Sequence, residues 1–298
     1  PFWNRLSITP ITNNEGIVTH FIGIQSDITA QKKAEAALKE ANQRLEQANL
    51  RISEDLEMAS QIQRGFLPDE SLEIDGIEVA WELKPCTELA GDTLNIVPLD
   101  HRRVEFYTID VSGHGVPAAL LSVTLNHFMS PFGNRAVFHG DSPVSPADMA
   151  EALNKQFPFD KERAQFFTLI YGIYDIEERI LSFVSAGHPP PIYVPRSGKT
   201  RLEWSAGIPI GIAPNFEYKE NSLRLEPGDR VYLFSDGLIE VVDPDDEPFE
   251  VERLKASLER LRDQPIKTVV RQVIEEVECW GRNRPFEDDV SILAIEAR

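Results

Sequence analysis

The chain has 298 residues, of which 30 are Lys or Arg and 49 are Asp or Glu, for a formal net charge of −19 at pH 7. That balance argues against nucleic acid, whose phosphates call for basic patches, and against anionic membranes; no apolar run approaches the ~20 residues needed to cross a bilayer. Two cysteines, Cys86 and Cys279, make no disulfide framework and fit a reducing, cytoplasmic setting.

In chain order, residues 1–28 read as two strands around a turn. Phe2 to Ile8 alternates, Asn13-Asn14-Glu15-Gly16 is a turn signal, and Ile17 to Gln25 is a second β-prone run. A lone hairpin is only marginally stable in water, so this piece is expected to be the end of a larger domain. Residues 29–66 then turn to Ala, Glu, Gln, Lys and Leu, with no Gly or Pro before Gly65. Ala34, Leu38, Ala41, Leu45, Ala48 and Ile52 keep the 4-3 spacing of a coiled-coil seam. Leu56, Ala59 and Gln63 continue it after a stutter, which locally relaxes left-handed supercoiling. A long helical linker that pairs as a parallel homodimer is expected; the alternative is a single amphipathic helix laid on a neighbouring domain. Leu67-Pro68 ends the helix.

Residues 67–298 mix both kinds of element. Val104 to Asp110, Phe166 to Asp175, Ile180 to Ser185, Arg230 to Ser235 and Val290 to Glu296 read as strands. Pro117 to Met129, Val251 to Arg262 and Ile266 to Trp280 read as helices, the first with Ala119, Leu120, Val123 and Leu125 as its apolar residues. Hairpins outnumber β-α-β units, which points to an α+β fold with antiparallel sheets.

Four short segments carry the chemistry: GDTLN (Gly91 to Asn95), IDVSGHG (Ile109 to Gly115), FSDGL (Phe234 to Leu238) and EDDVSIL (Glu287 to Leu293). The last three put an Asp at or beside the end of an apolar run, and the first sits in a turn before one. Any single one of them can serve a turn. Four together, without Cys or His partners, suit hard divalent cations such as Mg²⁺ or Mn²⁺.

The series GDTLN, DVSGHGVPAAL, FFTLIYGIYD, SAGHPPP, PIGI, SDGLIE and DDVSIL, in this order, resembles the SpoIIE/RsbU-like branch of the PPM (protein phosphatase 2C-type) Ser/Thr phosphatases. Ala59 to Gln63 with Phe66-Leu67-Pro68 is similar to the helix that leads into that domain. The resemblance implies a central antiparallel β-sandwich flanked by helices, with two divalent metal ions, Mn²⁺ or Mg²⁺, at one end. It places Asp92, Asp110, Asp236 and Asp288 as ligands, Asp110 as the bridge between ions, and the Val111 carbonyl as a backbone ligand. Asp92 and Asp110 would carry the catalysis. Asp289, His114, Asn95 and Gly237 are further candidates, and His188 in SAGHPPP either helps at the edge of the site or caps a turn. Asn95 stands where many relatives have a second Asp, so it brings no charge. Residues 1–28 resemble the last strands of a PAS domain of the light-sensing LOV type, with Gln25 at a flavin-contacting position. The chain has no Asn-Cys-Arg-Phe motif, so flavin is implied only for a sensor part outside it.

Phosphate monoesters are among the slowest bonds to hydrolyse in water. Two cations roughly 3.5–4 Å apart can activate a water for in-line attack and neutralise the dianionic substrate. A cysteine phosphatase would need Cys-x5-Arg, which neither cysteine has. The expected activity is hydrolysis of phosphoserine or phosphothreonine on a regulatory partner protein, by the resemblance a STAS-type anti-sigma-factor antagonist. A sensor at the N-terminus would control it through the linker. The alternatives are a catalytically weak binding module that sequesters its partner, and a GGDEF-type cyclase, which Thr93-Leu94 in place of Glu-Phe disfavours.

Overall fold

The computed structural model describes residues 2–69, 71–130, 138–139, 142–159 and 165–298. They group into two compact units, Pro1–Glu57 and Met58–Arg298.

In the first unit, β1 (Asn4–Thr12) and β2 (Val18–Asp27) form the expected antiparallel hairpin. The Asn13 side chain closes its turn by accepting the backbone N–H groups of Glu15 and Ile17, both at 3.0 Å. Every residue of both strands is exposed, Leu6, Ile8, Phe21 and Ile24 included. Helix α1 (Thr29–Arg64) follows, with the Asp27 carboxylate accepting the Thr29 N–H at 2.8 Å. Its apolar positions Leu38, Leu45 and Ile52 lie along one stripe, each more than half exposed.

The second unit takes the last turns of α1 and continues with β3 (Ile77–Lys84), β4 (Thr93–Pro98), β5 (Arg103–Val111) and α2 (Val116–Met129). Two-residue strands β6 (Phe138–His139) and β7 (Ser142–Pro143) precede α3 (Pro146–Gln156). Then come β8 (Phe167–Asp175), β9 (Ile180–Ala186), β10 (Ile192–Val194), β11 (Arg201–Leu202), β12 (Asn221–Arg224) and β13 (Arg230–Phe234). Helices α4 (Gly237–Glu240), α5 (Glu250–Arg260) and α6 (Ile266–Trp280) lead to the closing strand β14 (Val290–Ala297).

Two five-stranded antiparallel sheets result, ordered β11-β10-β13-β14-β3 and β12-β9-β8-β5-β4. Three apolar layers hold them. Leu94, Phe106, Ile170, Leu233 and Leu293 fill the space between the sheets. Tyr232, Phe234 and Ile292 meet α5 and α6 on one outer face; Tyr107, Ile109 and Leu169 meet α2 and α3 on the other. The central strand β13 is therefore buried on both faces and reads as a continuous apolar run rather than an alternation. In α2 the buried stripe is Ala118, Ala119, Ser122, Leu125, Asn126 and Met129, a 3.6-residue period. Leu120 falls outside it and is 63% exposed. The polar Ser122 and Asn126 occupy inward positions of this stripe.

Candidate metal centre

Antiparallel pairing brings the start of one strand beside the end of its neighbour. The start of β4 and the end of β5 meet through the pair Thr93↔Ile109, which sets Asp92 beside Asp110. In the other sheet β13 ends just before Asp236, and β14 begins just after Asp288 and Asp289. All five carboxylates meet at this end of the sandwich. Asp110 feels the negative charges of Asp236, Asp288 and Asp289, and Asp92 those of Asp110 and Asp289.

Burial first, then these like charges, push the Asp110 carboxyl up to about 7 and hold Asp92 well above the ordinary carboxylate range. Asp288 is raised by its partial burial and by Asp289 and Asp236, against a 2.8 Å hydrogen bond from the Asp289 N–H that favours its charged form. Asp92 is 2% exposed, and its Oδ2 has no aligned hydrogen-bond partner even though the Ser235 and Ser291 hydroxyls lie nearby and favour its charged form. Among the described residues no Lys or Arg forms an ion pair with any of the five. Buried carboxylates left so short of positive charge, with an orphaned oxygen among them, fit hard divalent cations.

The Asp288-Asp289 doublet divides by orientation. Asp289, 2% exposed, accepts the backbone N–H groups of Cys86 at 2.8 Å, Gly91 at 2.6 Å and Asp92 at 3.3 Å. It thereby ties the loop before β4 to the other sheet. Asp288 is exposed and accepts the N–H of its own neighbour Asp289 instead of tying down a distant loop. The Cys86 thiol lies against the doublet, where burial and Asp289 push it up to about 12, so it stays a protonated thiol. Gly237, the first residue of α4, lies so close to β14 that a Cβ there would collide with the Asp289 carbonyl; the backbone needs glycine at this approach.

Gly113 (φ 85°) and Gly115 (φ 78°) make the left-handed turn from β5 into α2. Between them His114 is exposed, near enough to Asp288 that a charge on its ring would favour the ionised carboxylate. The Val111 side chain is buried in the core while its carbonyl faces Gly91, beside Asp92. Asn95 is placed differently. Strand alternation puts it on the Thr93 face, opposite to Asp92, where its Nδ2 donates to the Phe66 carbonyl at 2.9 Å and its Oδ1 accepts the Ile96 N–H. Gln25 lies on exposed β2, across from Leu6.

Some groups around the cluster carried no legible role. Gln63 at the end of α1 is buried and holds both backbone groups of Ala90, donating to its carbonyl at 2.6 Å and accepting its N–H at 3.0 Å. Glu240 sits near Asp236 and Asp288 and is raised with them. Ser235 and Ser291 flank the aspartates in sequence, which is the one signal that would have pointed to them; Gln63 belongs to the helix segment that resembles the family's lead-in, but its spacing from Asp92 did not point to the Ala90 contact.

The family model described as "Stage II sporulation protein E (SpoIIE)" matches residues 100–298. Phosphoserine phosphatase RsbP of Bacillus subtilis (strain 168) is 27% identical over 250 residues, covering 84% of this chain and 59% of the relative. Phosphoserine phosphatase RsbU of the same organism is 28% identical over 195 residues, covering 63% and 54%. The chain thus spans somewhat more than half the length of these relatives. The solved SiaA-PP2C domain of Pseudomonas aeruginosa superimposes with a TM-score of 0.71 at 22% identity, covering 84% of this chain and 99% of that one, so the fold is PP2C-like. With two thirds of its length matched, this chain belongs to the SpoIIE family.

Proposed function

We propose that the chain is a metal-dependent protein serine/threonine phosphatase. The observation that carries this is the convergence of Asp92, Asp110, Asp236 and Asp288 from two sheets into one partly buried, uncompensated cluster. These four side chains, with the Val111 carbonyl, would hold two divalent cations, Mn²⁺ or Mg²⁺. When bound, such ions supply an activated water and neutralise a phosphate dianion. Asp289 positions the loop that carries Asp92 rather than a cation. His114, exposed at the rim beside Asp288, is placed to meet the phosphate or hand a proton to the departing Ser or Thr oxygen. The relatives' names support phosphoserine as substrate, and we propose a phosphorylated STAS-type regulatory protein as its carrier.

The reading as a catalytically weak binding module drew on the missing charge of Asn95. Since Asn95 faces away from Asp92 and bonds the Phe66 carbonyl, its neutrality takes nothing from the cluster. Asn95 and Gln63 instead tie the end of α1 to strand β4 and to the residues just before Asp92. We take this as the route by which α1 biases the site. In this reading residues 1–28 are PAS-like strands whose exposed apolar faces need a covering layer, residues 29–66 a dimeric coiled coil, and residues 67–298 the phosphatase domain. Gln25 would touch flavin only if that sensor is of LOV type.

The test is hydrolysis of p-nitrophenyl phosphate with Mn²⁺, Mg²⁺ or EDTA, beside Asp110→Ala and Asp236→Ala. Turnover that requires metal and disappears in both variants is expected. Metal-independent turnover, or wild-type silence that persists after residues 1–52 are removed, would overturn the phosphatase reading.

A further inference from the structure

His188 is a buried histidine that the proposed chemistry does not use. It follows β9, is 6% exposed, and its backbone is fixed by the Ser185 hydroxyl, which donates to its carbonyl at 3.0 Å. Its Nδ1 lies 2.6 Å from Thr168 Oγ1. Thr168 is the direct cross-strand partner of Asp110 in the β5–β8 pair, and its Oγ1 lies 3.5 Å from Asp110 Oδ2. The three side chains form one line from the sandwich interior to the centre of the acidic cluster.

We propose that His188 and Thr168 are positioning residues for Asp110: His188 Nδ1–H donates to Thr168 Oγ1, which turns the Thr168 proton toward Asp110 Oδ2. This deepens the phosphatase reading and rests on it. A hydroxyl has one proton to give, so whichever ring nitrogen carries the imidazole proton decides where the threonine proton points. His188 Nε2 is buried and has no aligned partner. The Thr168 hydroxyl is set to donate to Asp110 Oδ2, where it favours the charged carboxylate, which leaves Nδ1 to carry the ring proton. The Phe234 backbone beside the ring favours its protonated form without reaching an aligned bond. Were Nε2–H directed there, Thr168 would give its proton to the ring and none to Asp110. Burial pushes the His188 pKa down to about 3, so the ring is neutral and can orient a carboxylate without competing with a cation for it. Carboxylate ligands are commonly held by such outer hydrogen bonds, and removing one typically weakens metal binding ~10–100-fold.

The experiment uses the full chain and four variants: Thr168→Val, Thr168→Ser, His188→Gln and the Thr168→Val/His188→Gln pair. Mn²⁺ affinity is read by electron paramagnetic resonance, turnover with p-nitrophenyl phosphate, and folding by thermal melting. Thr168→Val is expected to weaken Mn²⁺ roughly 10–100-fold and Thr168→Ser to restore it. His188→Gln is expected to weaken Mn²⁺ alone but add nothing to Thr168→Val. In the Mg²⁺-loaded wild type, ¹⁵N spectra of labelled histidine should show the His188 proton on Nδ1. A proton on Nε2, or a Thr168→Val protein that melts earlier yet binds Mn²⁺ as wild type does, would overturn the proposal. A wild type that neither binds Mn²⁺ nor turns over would instead remove the phosphatase reading beneath it.

Discussion

Without bound metal this protein should lose stability as the pH rises, the reverse of what ordinary surface carboxylates produce. In the metal-free fold the Asp110 carboxyl titrates near 7 instead of 3.8. The folded state therefore keeps a proton between these values that the unfolded chain has already released. Its relative stability is full below the lower value, declines as the proton is lost, and levels off above pH 7. Each pH unit in that window is worth about 1.4 kcal/mol, so the step between pH 5 and pH 8 amounts to roughly 3 kcal/mol from Asp110. For a unit of this size a kcal/mol corresponds to about 2–4 °C in Tm, giving a fall of roughly 6–12 °C. Thermal unfolding followed by circular dichroism in EDTA, at fixed ionic strength, measures it. Saturating Mn²⁺ should make the profile shallower, and Asp110→Asn should remove the Asp110 share of the step while Asp92 and the buried Glu105, itself raised to about 7, keep theirs. A metal-free Tm that holds steady or rises from pH 5 to pH 8, or a slope unchanged by Asp110→Asn, would refute the reasoning.

Three further outcomes follow from the geometry. Gly237→Ala should cost about 1–3 kcal/mol by overpacking against the Asp289 carbonyl and lower kcat on p-nitrophenyl phosphate by roughly 100-fold through displacement of the cluster, as steady-state kinetics and melting would show. Gln63→Ala leaves both backbone groups of Ala90 unpaired, so a loss of about 2–4 kcal/mol should accompany weaker Mn²⁺ binding in a titration. Leu45→Glu combined with Ile52→Glu, on the exposed stripe of α1, should convert the proposed dimer to a monomer by light scattering without changing the Tm of the unit Met58–Arg298.

Much of this was readable one residue at a time. Asp110, Asp236 and Asp288 each stand at or beside the end of an apolar run, where a carboxylate can face a site instead of the apolar core. The 36-residue helix α1 and the β8–β9 hairpin follow from local pattern alone. What local pattern cannot carry is strand parity across distant segments. Asn95 is a candidate because many relatives carry a second Asp at its position, yet its side chain bonds the Phe66 carbonyl, and an odd spacing along β4 turns it to the face opposite Asp92. The inward stripe of α2 could not be read from Leu120 and its apolar neighbours, because Ser122 and Asn126 take inward positions. Thr168 and His188 are 58 residues or more beyond Asp110 in sequence, and only the β5–β8 register brings them to it.

The proposed ligands come from two sheets, with Asp92 and Asp110 on one and Asp236 and Asp288 on the other. The gap they span is therefore set by the side chains packed between the sheets, Leu94, Phe106, Leu233 and Leu293 among them. If those aspartates hold the cations, that layer acts as a ruler for ionic radius. Trimming a methyl group there, out of contact with any carboxylate, should shift the preference between the smaller Mg²⁺ and the larger Mn²⁺. The cation choice of this fold can thus drift through changes in its oiliest residues while every ligand stays in place.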